Sequence, residues 1–347
     1  MREGALLHSV PLSRVFRSPL MIAYVVKSLA QAILVMLVVA LVAFSMFRFI
    51  GDPVSNLMGQ EATIQDREQL ARDLGLMDPF PVQFARFVSN AAQLQFGVSY
   101  RQGRPVADLM AERLPATVEL ALLSAIFALV VGIALGVYTA IYRNGLLSHA
   151  ILSVSLIGVS LPTFLIGIGL IWLFAVELRW LPSFGRGDVV KIGWWSTGLL
   201  TTSGLKSLVM PVLTLGFYQL TLIMRLVRSE MLETMRTDYV KFARARGVPE
   251  RTIWFRHALK NTMVPVMTIA GLQLGGVIAF AIVTESVFQW PGLGALFVQA
   301  VQFVDIPVMA AYLMFVAFVF VVTNLVVDLL YFALDPRLRG AGPASAH

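Results

Sequence analysis

The chain has 347 residues, 58% of them hydrophobic and only 14% charged, with a mean hydropathy of +0.78. Soluble proteins carry about 25% charged residues, so the composition excludes an ordinary soluble enzyme and places the chain in a membrane. The net charge of +7 fits Lys and Arg gathered on one set of loops better than nucleic-acid binding, and the lack of cysteine excludes disulfides, thiolate ligands and cysteine nucleophiles.

Residues 1–25 form a basic tail with Arg2, Arg14 and Arg17, and Lys27 follows at the start of the first span. The apolar run from Leu29 to Phe47 exceeds the about 7–15 residues of a signal-peptide core, so it predicts an uncleaved first span over 26–49. Residues 50–112 form a loop far longer than a connector needs. Within it, "EATIQDREQLARDL" (61–74) predicts a helix stopped by Gly75. Phe84, Phe87, Val88 and Ala91 follow at helical spacing, so the loop reads as a small ordered cap.

A core of five further spans occupies 113–333. The second span is predicted at 116–142, the third at 150–177 with a kink at Pro162, the fourth at 207–227, the fifth at 263–287 and the sixth at 308–333. A tail over 334–347 completes the chain. The N-terminal tail, the turn at Arg143, the segment between spans four and five, and the tail at Arg337 and Arg339 fall on one side of this model, which predicts that both termini are cytoplasmic. The loop at 288–307 has no Lys or Arg and falls outside, with 51–115 and 178–206. Gly132/Gly136 and Gly271/Gly275 are small residues four apart and predict close helix packing.

Chemistry-bearing patterns are sparse. "SGLKS" (203–207) is not a phosphate-binding loop, and there is no H-E-x-x-H and no G-x-S-x-G. His8, His149, His257 and His347 are scattered, so neither catalytic nor metal-ligating residues are expected. Glu119, Glu285 and Asp328 lie near span ends, where each either pairs with an Arg or a helix N-terminus or serves function. Gln273, Thr284, Glu285 and Asn324 line a polar pathway or bond between helices.

The segment between spans four and five, about 236–261, is different in kind. "DYVKFARARGVPERTIWFRHALKN" (238–261) holds six Lys/Arg and two acids. Tyr239, Phe242, Ala243 and Arg246 share a helical face. Gly247 supplies backbone freedom, Pro249 suits a helix start, and Glu250 complements the positive end of the helix that follows. The pattern predicts a helix, a sharp turn and a projecting short helix, better suited to a groove on a cytoplasmic partner than to the lipid surface.

The same stretch, "ARARGVPERTIWFRHALKN", resembles the cytoplasmic coupling loop of binding-protein-dependent ABC importer permeases. Gly247 matches the loop's central glycine, and Ala243 and Ala245 its small residues. Lys241 stands where the general motif has a leading glutamate, as in the dipeptide/oligopeptide/nickel subgroup. "LGLMDPFPVQFARF" (74–87), "FGVSY" (96–100), "RLPATVELALLS" (113–124), "TESVFQWPGLGALFVQAV" (284–301) and "NLVVDLLYFALDPRLR" (324–339) resemble that subgroup too, and the long first loop resembles its first, B-type permease. The resemblance implies an all-α type I importer permease fold with six spans, an extended periplasmic first loop and a cytoplasmic coupling helix. It implies a heterodimer with a second permease, two ATPase subunits that bind ATP and Mg, and an external solute-binding protein, all at the bacterial inner membrane. It gives Ala243, Ala245, Arg246, Gly247, Glu250, Arg251 and Trp254 to ATPase coupling. This chain itself binds no cofactor and is no enzyme on that reading. The cargo implied is a di- or oligopeptide, with nickel complexes, glutathione and other small solutes open. The reading from another class is a stand-alone ion-coupled transporter, which calls for internal repeats and mid-membrane ionisable residues.

Overall fold

The computed structural model of the chain describes residues 19–49, 63–73 and 76–334. The basic tails, Gly75 and the side chain of Asp328 lie outside the described residues.

Helix α1 (Pro19–Phe49) is apolar on nearly all sides, with Ile33 and Leu34 more than half exposed, as suits a surface facing lipid. The cap follows it. In α2 (Ile64–Asp73) the Asp66 carboxylate accepts from Thr63 N while Asp66 N donates to the Thr63 hydroxyl, a reciprocal closure of the helix start. Helix α3 (Phe80–Ala92) lays its aromatic stripe on the end of α1: Phe80, Phe84 and Phe87 lie 5.2, 5.7 and 5.8 Å from the Phe44 ring. The cap is therefore held to the first span by aromatic contact.

Helix α4 (Val106–Ile141) has 36 residues and a length of about 54 Å. It starts ten residues before the predicted span, because polar residues such as Asp108 and Glu112 continue the helix beyond the apolar stretch. The predicted third span is not one straight crossing. Helix α5 (Leu146–Ser160) and helix α6 (Thr163–Leu170), extended by a π-helical segment (Ile171–Glu177), meet at 114°. Pro162 sits at the break, where it lacks the N–H that would continue α5, so the effect is a reversal of direction beyond the predicted kink. A hairpin of β1 (Val190–Ile192) and β2 (Trp195–Thr197) follows, which the pattern did not predict.

Helix α7 (Thr202–Thr234) is also longer than its predicted span, 207–227. Thr201 caps it by accepting from Gly204 N, and charged residues such as Arg228 and Glu230 hide its true length from a hydropathy reading. Short helices α8 (Asp238–Ala245) and α9 (Glu250–Thr252) come next. A second π-helical segment (Ile253–Ala258) joins α9 to α10 (Leu259–Val287), which bends by 49° between Gln273 and Gly275. Helices α11 (Leu293–Gln302) and α12 (Ile306–Leu334) close the fold. Among the described residues four helices are long and apolar enough to cross a membrane, or up to six if each bent pair is one span.

Parallel helices α4 and α7 form the most extensive contact, and glycine makes it possible. A Cβ on Gly136 would stand 2.6 Å from Val227 Cβ and 2.8 Å from the Met224 carbonyl oxygen, and Gly132 faces Ile223 in the same way. Gly216 of α7 returns the contact against the Ser124 carbonyl. Without hydrocarbon-to-water transfer to drive association, such close backbone approach supplies the packing energy. Gly271 and Gly275 do the same between α10 and α12, against Val327 and Phe320. Arg228 reaches across to the last turn of α4, donating to the Thr139 carbonyl at 2.7 Å.

Gly136→Ala should lower the melting temperature of the detergent-purified protein, at the cost of about 1–3 kcal/mol typical of overpacking. Gly169→Ala, with nothing within 4 Å of its Cβ, should not. Equal thermal shifts would contradict the glycine packing.

Candidate functional site

The distinctive element lies at the end of the bundle where α4 and α7 finish. Helix α8 is closed by Gly247 at φ +75°. Gly247 N donates to the Arg244 carbonyl at 2.9 Å and Val248 N to the Ala243 carbonyl at 3.1 Å, the paired bonds that end a helix through one left-handed residue. No heavy atom lies within 4 Å of the Cβ position at Gly247, so its requirement for glycine is conformational and not steric.

The helix after the glycine is not a separate short one. Nothing between Pro249 and Pro265 breaks a helix, so α9 passes through the π-helical segment straight into α10. The isolated short helix is α8, before the glycine. It folds back along the rod that enters the membrane, burying Val240, with Ile253 buried on the π-helical segment it packs against.

The face of α8 that sequence periodicity marks as apolar points outward. Phe242 is 64% exposed and Tyr239 is 42% exposed, and the Arg246 guanidinium lies 5.5 Å from the Phe242 ring centroid. Ala243 is half-buried; Ala245, Arg246, Gly247, Glu250 and Arg251 are exposed. Trp254 is half-buried, packed against the core cluster that contains Val137, Val227 and Ala258. Two ion pairs fasten the surface. Lys241 bonds Asp238 at 2.9 Å and holds its carboxyl below the ordinary range. Arg244 bonds Glu250 with both a 2.7 and a 3.2 Å contact, which raises the Arg244 pKa further. The outward surface of α8 is thus an exposed aromatic with basic side chains beside it, on a helix tied to a rod. Phe242 is the residue that sequence reasoning placed on a face but did not single out. Its signal was an aromatic in a segment that leaves the bilayer.

At the opposite end, buried polar groups hold the loops together. Glu119 and Arg186 are 5% and 7% exposed and pair at 2.6 Å. Trp195 Nε1 and Gly198 N also donate to Glu119, and Arg186 donates to the Ser196 hydroxyl and carbonyl. The pair thus fastens the hairpin to α4. Glu285, fully buried, accepts from the Thr117 hydroxyl at 2.6 Å and from Ala295 N at 2.9 Å, a carboxylate placed at the N-terminus of α11. Asp305 accepts from the Ser99 hydroxyl and from Tyr100 N, joining the cap loop to α12. Thr284 is buried, and its hydroxyl has no partner among the described residues. Asn324 lines a cavity of about 420 Å³ with Ser28, Gln31 and Phe320. Gln273 is half-buried on α10 beside the bend. The structure does not bring Gln273, Thr284 and Asn324 into hydrogen bonds with one another. Among the described residues no cluster of acids and histidines could hold a metal.

The chain matches the family model of the binding-protein-dependent transport system inner membrane component over residues 132–340, and the corresponding N-terminal model over 21–121. The chain belongs to this family. Among its relatives, a dipeptide transport system permease protein, DppB, of Alkalihalophilus pseudofirmus is 35% identical over 92% of this chain and 100% of the relative. A probable D,D-dipeptide transport system permease protein, DdpB, of Escherichia coli K12 is 39% identical over 84% and 90%. A glutathione transport system permease protein, GsiC, of Shigella flexneri is 37% identical over 92% and 99%. This inner membrane component is a multi-pass permease subunit of a transport system fed by a binding protein, and it works alongside other subunits.

Removing Arg186 leaves a buried carboxylate unpaired, which costs about 3–5 kcal/mol. Arg186→Met should therefore lower the unfolding temperature sharply, and Glu119→Leu/Arg186→Met should recover much of the loss. A double variant no better than the single would contradict the pairing.

Proposed function

We propose that this chain is one of two permeases in an ATP-driven importer of di- or oligopeptides. It pairs with a second homologous permease to enclose the pathway. A solute-binding protein delivers cargo at the end formed by the cap, the hairpin and α11. Two cytoplasmic ATPase subunits, which hold ATP and Mg, receive α8 in their surface. Both termini lie in the cytoplasm on this reading, on the same side as α8, where Lys241, Arg244, Arg246, Arg251, Arg256 and Lys260 gather.

One observation carries the reading: α8 is a short helix with a free aromatic and basic face, fixed to a helix that continues into the membrane. A stand-alone ion-coupled transporter has no use for such an element. The names of the relatives support a peptide cargo, and glutathione is itself a small peptide. Glu119 is paired with Arg186, and Glu285 accepts from Thr117 and Ala295 N, so both carboxyls join helices and loops at the cap end.

In proteoliposomes holding the complete transporter, Gly247→Asp and Arg251→Ala should lower dipeptide uptake per ATP hydrolysed. Trp254→Ala mixes this effect with lost packing, so Phe242→Ala is the cleaner aromatic test. Wild-type uptake per ATP in all three exposed-site variants would overturn the coupling role. Uptake of labelled dipeptide by wild type should exceed uptake of a nickel chelate, and the reverse would overturn the cargo.

A further inference from the structure

No side chain packs against the Gly247 turn, which is closed by two backbone bonds, Gly247 N to the Arg244 carbonyl and Val248 N to the Ala243 carbonyl. The angle between α8 and the membrane rod is held further by side chains at both ends of α8. At the C-terminal end, Arg244 grips Glu250 with Nε to Oε1 at 2.7 Å and Nη2 to Oε2 at 3.2 Å, a two-pronged contact spanning the turn. At the N-terminal end, Asn261 Nδ2 donates to the Tyr239 hydroxyl at 2.7 Å, across 22 residues of sequence. Between them Val240 is fully buried. A helix of eight residues pinned at both ends to a second helix has little freedom to tilt against it.

We propose that Arg244, Glu250, Tyr239 and Asn261 are positioning residues that make α8 and the Glu250–Asn261 rod a single lever. They act through α8 and touch neither nucleotide nor cargo. When α8 is displaced by its partner, the clamp obliges the rod, and so α10, to move with it. Without the clamp, the Gly247 turn is braced by its two backbone bonds alone and yields to the displacement. The inference rests on the coupling reading above and adds to it the residues that transmit the motion.

The experiment is a charge exchange in the complete reconstituted transporter, read as dipeptide transported per ATP hydrolysed. Glu250→Arg puts two cations across the turn, and this ratio should fall about two- to five-fold, the scale of an exposed ion pair. Arg244→Glu/Glu250→Arg restores opposite charges and should return the ratio toward wild type. Tyr239→Phe/Asn261→Leu, which breaks the other tie without changing charge, should lower the ratio as well. Recovery in the exchanged variant excludes simple misfolding, because both positions are then substituted. An unchanged ratio in Glu250→Arg, or no recovery on exchange, would overturn the clamp. If Gly247→Asp also left the ratio unchanged, the coupling reading itself would fail; if only the clamp variants did, that reading would stand and the lever alone would be lost.

Discussion

A hydrocarbon layer offers no partner for a backbone amide, a carboxylate or a guanidinium, and that constraint arranges this molecule. Backbone bonds are satisfied inside long helices. Charges that lie within the bundle are closed by protein groups: Glu119 by Arg186, Trp195 and Gly198; Glu285 by Thr117 and the first amides of α11. Helices approach one another through glycines, because association inside lipid depends on contact and not on leaving water. Charged groups outside the bundle collect where the chain meets water, as on α2 and on α8.

That division gives each end of the bundle a different character. At the cap end, buried ionic and aromatic contacts tie α3, the hairpin, α11 and α12 to the spans, which suits a surface that must hold its shape. At the α8 end the ties are exposed and of modest strength, and the helix they hold is short. Closure there uses a left-handed glycine, bidentate Arg244 and a tyrosine hydroxyl, all open to solvent. A π-helical segment follows directly, a feature often found where helices serve function. The bundle thus has one end braced by buried contacts and another where a short helix is clamped by exposed ones.

Much of this was legible in the sequence, and the misses have causes. Spans, the glycine pairs, the aromatic stripe of α3 and the turn at Gly247 follow from hydropathy and periodicity, which are local. Helix ends were misjudged in α4 and α7 because polar residues continue a helix past the lipid boundary. The effect of Pro162 was underestimated because a proline's missing N–H says that a helix breaks, and only neighbours such as Thr221 and Phe217 against Gly158 say where it goes next. The partner of Glu119 was invisible, since Arg186 lies 67 positions away in a loop. The projecting helix was assigned to the wrong side of Gly247, because amphipathicity marks both flanks while continuity into a span is a tertiary matter. Phe242 was read as one residue of an apolar face, and only the fold shows that this face is free.

The absence of native cysteine permits one direct measurement. A cysteine placed at Phe242 should react with a membrane-impermeant maleimide in inverted vesicles stripped of ATPase subunits, and should be protected when those subunits are added back. A cysteine at Trp194, exposed at the other end of the bundle, should react only from the outer side. If position 242 labels equally with and without the ATPases, or labels from outside intact cells, then α8 is not the docking element described here.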